Sequence, residues 1–132
     1  MKPEVFWLTA TILMTALFWV PYVLNRIAVR GLSSALSGSI PDMSLVPPWA
    51  QRAARAHQNA VENLVLFAAL VLLAQMQGVA STLLTAATEA YFFTRLVHFI
   101  VYTAGLPALR TLTFAVGWAC QIVLILAILK LI

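Results

Sequence analysis

The chain has 132 residues, of which 63% are hydrophobic and only 9% charged, and its mean hydropathy is +0.97. A soluble domain carries roughly 25% charged residues, so this composition excludes an ordinary water-soluble enzyme and a disordered chain. The net charge of +4 comes without a Lys/Arg cluster dense enough to track a phosphate backbone, which argues against a nucleic-acid partner. What remains is an integral membrane protein of a single domain, residues 1–132, with room for about four spans of roughly 20 apolar residues each.

The first predicted helix covers residues 5–30. Val5 to Leu24 carries no charge and exceeds the roughly 7–15 residues of a signal-peptide core. No small-x-small cleavage site follows, so the segment reads as a retained span, and it contains no acid. Trp7 and Trp19 to Tyr22 suit the two interfaces. Pro21 predicts a kink in the last membrane turns, and Asn25, Arg26 and Arg30 mark the exit. Gly31 to Trp49 holds Ser33, Ser34, Ser37, Gly38, Ser39, Pro41, Pro47 and Pro48, the composition of a connector.

The second predicted helix covers residues 49–76 and opens with Gln51, Arg52, Arg55, His57, Gln58 and Asn59 before turning apolar at Leu64. It is longer than the bilayer core, so its polar start projects into water. Gln77-Gly78 ends it. The third covers residues 80–104 and contains Glu89, Arg95 and His98. Gly105-Leu106-Pro107 is a tight break, and the fourth helix covers residues 107–131, with Arg110 near its start and Lys130 at its end. The single Cys120 has no partner for a disulfide or zinc site and reads as a small buried hydrophobe. The expected fold is an all-α, four-transmembrane-helix bundle. Arg26, Arg30, Arg52, Arg55, Arg95 and Arg110 lie toward one side and only Lys2 and Lys130 toward the other. That bias places the arginine-rich ends in the cytoplasm and both termini outside.

Ionisable groups inside spans are costly and therefore informative. Arg52, Arg55, Asn59, Glu62 and Asn63 share one face of the second helix, and His57 points away from it. Tyr91, Arg95, His98 and Tyr102 form a stripe on the third, with Glu89 opposite. The two stripes run at matching depth, which puts Glu62 near the level of Arg95, where pairing relieves both desolvation costs. That pair reads equally as a structural ion pair or as part of a site. Arg110, in the first turn of the fourth helix, reads as a snorkelling interface residue or, with the helix N-terminus, as an anion site. Together the arginines, Asn59, Asn63, His98 and Tyr102 describe a basic pocket open to the cytosol, suited to a small polyanionic ligand. Glu89 is left to protonation, a subunit contact or a cavity. His57 and His98 share neither a face nor a ligand spacing, so no metal site is expected, and no catalytic triad or phosphate-binding loop is present.

The run Arg52-Ala-Ala-Arg55-Ala-His57-Gln-Asn59-Ala-Val-Glu62-Asn63 resembles the MAPEG family, the membrane-associated proteins of eicosanoid and glutathione metabolism. So does Arg95-Leu-Val-His98-Phe-Ile-Val-Tyr102 with Arg110 after a short break. The Arg-Ala-His-x-Asn-x-x-Glu core is fairly specific, and the layout agrees over nearly the whole chain. The resemblance implies a homotrimer of four-helix protomers binding glutathione between neighbours. It implies Arg26, Arg55, Asn59, Glu62, Arg95, His98 and Tyr102 as glutathione-binding residues and Arg110 as the residue that stabilises the thiolate. The second substrate is then a hydrophobic electrophile arriving from the lipid phase. Gln58 stands where the family can carry a basic residue, and Phe114 stands where a tyrosine often contacts the ligand. The spacing from Tyr102 to Arg110 also varies in the family. These departures argue against a dedicated prostaglandin or leukotriene enzyme, and the compact length fits a bacterial member in the inner membrane.

The implied activity is a membrane-bound glutathione S-transferase for detoxification, with glutathione-dependent peroxidase activity on lipid hydroperoxides as an extension. A small four-helix transporter of cations is the second reading; it needs an acid facing the pathway, and only Glu89 serves. A non-catalytic scaffold subunit is the third and predicts tolerance of Arg110→Ala.

Overall fold

Long apolar runs punctuated by proline and glycine build helices. The computed structural model describes residues 1–39 and 42–132, and among the described residues there is no strand. Ile40 and Pro41, the latter one of the breakers of the predicted connector, lie outside the described residues.

The first helix is broken in two, α1 (Pro3–Leu17) and α2 (Val20–Arg30). Pro21 has no N–H, and its ring crowds the carbonyl of Leu17 four residues back. The chain therefore tightens at Phe18, whose N–H reaches Thr15 O (3.2 Å), and regular bonding resumes with Val23 N–H to Trp19 O (3.1 Å). The break lies one turn ahead of the proline. The helix also begins earlier than expected, with Pro3 at its N-terminus and Glu4 in its first turn. That corrects the expectation of a first span without an acid. Glu4 is only 5% exposed, and one of its carboxylate oxygens accepts from Thr85 Oγ1 (2.5 Å). The signal was readable: proline at the first helical position with an acid behind it suits a helix N-terminus.

The expected plain connector carries a short helix, α3 (Leu32–Leu36), and a 3-10 turn at Met43–Leu45. Arginines at the end of α2 hold it. Arg26 Nη2 donates to Ser34 O (2.8 Å) and Ser39 O (3.1 Å), and Arg30 Nη2 to Asp42 O (2.7 Å). From the other side Gln51 Nε2 donates to Met43 O and Val46 O. Backbone carbonyls that would otherwise be left at the lipid boundary are thus satisfied.

Helix α4 (Pro48–Met76) starts on Pro47-Pro48 and ends where Gly78 adopts φ +67. Helix α5 (Thr82–Ala104) starts under a side-chain cap, Ser81 Oγ accepting from Leu84 N (3.0 Å). It closes with Leu106 N–H to Val101 O and Gly105 N–H to Tyr102 O, the double bond of a glycine-terminated helix. Helix α6 (Pro107–Ile128) follows at once. It stops three residues short of the expected end because Lys130 takes φ 57 and Leu131 N–H folds back to Leu126 O.

Pro3–Arg30, Pro48–Met76 and Pro107–Ile128 are long and apolar enough to cross a membrane. Helix α5, 23 residues long with Glu89, Arg95 and His98 in it, is not among those three. It packs at the centre, most extensively against α6 and also against α4 and α1. The core holds Leu8, Phe67, Val71, Leu84, Tyr91, Cys120 and Leu124, with the Phe67 and Tyr91 rings stacked at 3.8 Å. Toward the polar end of α4 the contact face is made of alanines, Ala50, Ala53, Ala56 and Ala60, all 4% exposed or less. Small residues let the helices approach closely there. Glu89 is exposed, on the outward side of α5 with Phe93, Val97 and Ile100.

Candidate functional site

The stripe expected on α5 points inward. Tyr91, Arg95 and His98 are 1%, 3% and 2% exposed, and Tyr102, one turn further on, is half-buried. The face expected on α4 splits in two. At 100° per residue, Arg52, Asn59 and Asn63 lie within about 20° of one line, whereas Arg55 and Glu62 sit roughly 60–80° round the helix. The first three are half-buried; Arg55 and Glu62 are exposed.

This split decides the partner of Arg95. Its Nη2 donates to Asn59 Oδ1 at 2.6 Å, not to Glu62 as the matching depth predicted. Glu62 instead accepts from Gln58 Nε2 on its own helix (3.2 Å). The depth argument was sound, but the alanine face turns Asn59 toward α5 and Glu62 away from it. Behind Asn59 a polar chain runs on: Asn63 Nδ2 donates to Asn59 O (2.9 Å), and Gln121 Nε2 donates to Asn63 O (3.3 Å) and Tyr91 Oη (3.5 Å).

His98 Nδ1 bonds Thr113 Oγ1 (2.9 Å). Thr113 Oγ1 also lies 2.8 Å from Leu109 O and 3.1 Å from Arg110 O, to which it donates. With the hydroxyl proton spent on a carbonyl, the hydroxyl accepts from His98, which assigns the proton of the neutral imidazole to Nδ1. Among the described residues, His98 Nε2 and Arg95 Nε are buried without a hydrogen-bond partner. Tyr102 meets the His98 ring edge-on at 5.7 Å, and the Arg110 guanidinium lies 5.0 Å from the centre of the Tyr102 ring, within the range of a cation–π contact.

Asn59, His98, Tyr102, Arg110, Thr111 and Phe114 line a cleft of about 170 Å³. A polar cavity of about 210 Å³ adjoins it on the other side of Tyr102 and Arg110, with Arg52 and Gly105 in its wall. Among the described residues, no carboxylate lines either space. A cleft floored by an amide and an imidazole, backed by one guanidinium and rimmed by another, suits a polar ligand with excess negative charge.

Asn59, Arg95, His98, Tyr102 and Arg110 are therefore brought together within one chain. Arg55 and Glu62 stand beside them on an outward face. Arg26 does not join them: it lines a separate cavity of about 160 Å³ with Tyr22, Val23 and Met43. His57 turns the other way, its Nδ1 2.8 Å from Tyr22 Oη. Sequence reasoning missed Thr113 and Gln121. Both are polar residues in an apolar span, but Thr9 and Thr11 in α1 simply bond carbonyls four residues back, so a threonine there carries no distinguishing signal. Among the described residues no three His, Cys, Asp or Glu side chains gather as a metal-ligand group.

No curated protein matches the chain. The profile of the MAPEG family matches residues 6–130, a stretch that contains every residue of the cleft, and the chain belongs to that family.

Proposed function

We propose that this integral membrane protein is a glutathione S-transferase that joins the glutathione thiolate to hydrophobic electrophiles dissolved in the bilayer. Family membership supports a role in glutathione or eicosanoid metabolism. The observation that carries the finer reading is the Arg110 guanidinium resting on Tyr102 at the rim of a cleft that contains no acid. A free thiol has a pKa near 8.5, and the thiolate is the nucleophile. A guanidinium stays charged at every relevant pH and offers several donors. Held against sulfur in a site shielded from water, it favours the thiolate. Glutathione is a co-substrate whose carboxylates and amide match the other groups: Asn59, the Arg95 behind it, His98 and Tyr102. The unpartnered Arg95 Nε and His98 Nε2 are groups that a polar ligand close by would relieve.

Arg55 and Glu62 enter the site from the outward face of α4, which a neighbouring protomer covers in a homotrimer. Arg26, whose Nη2 is engaged with loop carbonyls, contributes only across such a contact. Helix α5 completes the four-span bundle, the arginine-rich ends face the cytoplasm, and the bilayer delivers the electrophile. Peroxidase activity on lipid hydroperoxides uses the same thiolate. The transport reading gains nothing from Glu4, which lies at the extreme end of the first span and is bonded to Thr85.

The test is conjugation of glutathione to an apolar aryl halide by the purified protein in detergent. Arg110→Ala is expected to lower kcat by about a hundredfold, the scale of removing one donor aimed at developing charge, with a smaller change in KM. Equal turnover by Arg110→Ala, or none by the unaltered protein with any apolar electrophile, would sink the proposal.

A further inference from the structure

We infer that Arg52 is a positioning residue: it clamps the turn between α5 and α6 and so sets the Arg110 guanidinium against the Tyr102 ring. The inference rests on the reading of Arg110 as the thiolate-stabilising group, but its geometry is independent of any ligand.

Arg52 sits in the second turn of α4, on the line that faces α5. Its Nε donates to Thr103 O at 2.9 Å. That carbonyl belongs to the last turn of α5, where carbonyls have no partner within the helix and where a cation is also favoured by the helix dipole. The next contact lies two residues on. Gly105 has φ +80, and a Cβ built on it would stand 3.1 Å from both Arg52 Cζ and Nε. The Arg52 side chain therefore packs closely over the turn, where an added Cβ would push it back by a few tenths of an ångström. Gly105 is favoured by its left-handed backbone, and a Cβ there would press on the Arg52 side chain laid across it.

The consequence follows from how short the turn is. Helix α5 ends at Ala104 and α6 begins at Pro107. Tyr102 is in the last turn of the one, and Arg110 is in the first turn of the other. Any rotation of Gly105-Leu106 changes the distance between the Tyr102 ring and the Arg110 guanidinium. Arg52 touches this turn from α4, and it shares a polar cavity with Tyr102 and Arg110. Two roles are then possible for its charge. As a clamp it needs the guanidinium group, with Nε directed at Thr103 O and Cζ close over Gly105. As a mere source of positive field it needs only a cation. Lysine separates them, because it keeps the charge and cannot reproduce the planar fork.

The experiment uses full-length protein in detergent with 3-fluorotyrosine at its three tyrosines, Tyr22, Tyr91 and Tyr102, and Tyr102→Phe to assign the resonance of interest. Fluorine spectra are recorded without glutathione for the unaltered protein, Arg110→Ala, Arg52→Lys, Arg52→Gln and Gly105→Ala. Thiolate absorbance with glutathione is then followed against pH. The clamp predicts that Arg52→Lys moves the Tyr102 resonance as far toward the Arg110→Ala position as Arg52→Gln does, with Tyr22 unmoved. It also predicts about a tenfold fall in the thiolate-to-thiol ratio of bound glutathione, equivalent to a rise of one unit in thiol pKa, with a smaller change in glutathione affinity. An Arg52→Lys protein that matches the unaltered one in both measurements overturns the inference and leaves a field role. Absence of a thiolate signal in the unaltered protein would refute the transferase reading instead, and the Tyr102 resonance alone would then decide the role of Arg52. Gly105→Ala is strained at positive φ, so the charge-conserving Arg52→Lys is the deciding variant.

Discussion

The bond between Arg95 and Asn59 is the most exacting consequence of the packing around the cleft, and its removal has a calculable cost. Arg95 is 3% exposed. Its Nη2 donates to Asn59 Oδ1 at 2.6 Å, and its Nε has no partner among the described residues. Asn59→Leu keeps the volume and removes the acceptor, leaving a buried cation with still fewer hydrogen bonds. A hydrogen bond to a charged group contributes about 1.5–3 kcal/mol, so the folded-to-unfolded ratio is expected to fall roughly ten- to a hundredfold. Arg95→Met alone strands only the half-exposed Asn59 amide and costs less. The double variant places two apolar side chains face to face and recovers most of the loss, because replacing both partners of a buried polar contact is often near neutral. The assay is reversible unfolding in mixed micelles titrated with sodium dodecyl sulfate, read by tryptophan fluorescence. The reasoning is refuted if the two single losses add in the double variant to within about 0.5 kcal/mol, the behaviour of uncoupled sites.

Two further outcomes follow from the same contacts. Thr113→Val removes the partner of His98 Nδ1 and leaves a buried imidazole with neither nitrogen bonded, at a cost of about 1–3 kcal/mol in the same unfolding assay; Thr113→Ser retains the bond and most of the stability, and equal losses in the two would show that the bond carries none. Asp42 accepts from the Ser44 hydroxyl and the Ser44 N–H, and these bonds hold its carboxyl below the usual range. A depressed folded value means that its contribution is fully present above the unfolded value of about 3.9 and is lost as pH falls through the folded value. The protection of the Ser44 amide, measured relative to its intrinsic exchange rate, is therefore expected to fall as pH drops below the unfolded value and through the folded one in the native protein. In Asp42→Asn it should show no such step, and an identical step in both would contradict the assignment.

Much of this molecule was legible as sequence because its largest energies are one-dimensional. An apolar run has to be helical where water is absent. The Gly105-Leu106-Pro107 break and the stripe from Tyr91 to Tyr102 are local patterns of that kind. The residues that escaped are those whose role depends on which helix face meets which. Glu62 and Asn59 differ by less than one turn, yet the buried line of Ala53, Ala56 and Ala60 gives Arg95 to Asn59. The polar start of α4 was legible as polar, but not the splitting of its face into an inward and an outward part. Arg26 has the right residue type for an anion site, and its engagement with Ser34 O and Ser39 O emerges only once the connector is folded. Glu4 was missed for a simpler reason: the apolar run that defined the first span starts after it.

The most direct test of the central claim is a glutathione titration of the detergent-purified protein, followed by ultraviolet thiolate absorbance at neutral pH, with Arg110→Ala measured in parallel. The account predicts a saturable thiolate signal in the unaltered protein, and its loss in Arg110→Ala while glutathione still binds. A thiolate signal undiminished in Arg110→Ala, or no binding at millimolar glutathione, would contradict it.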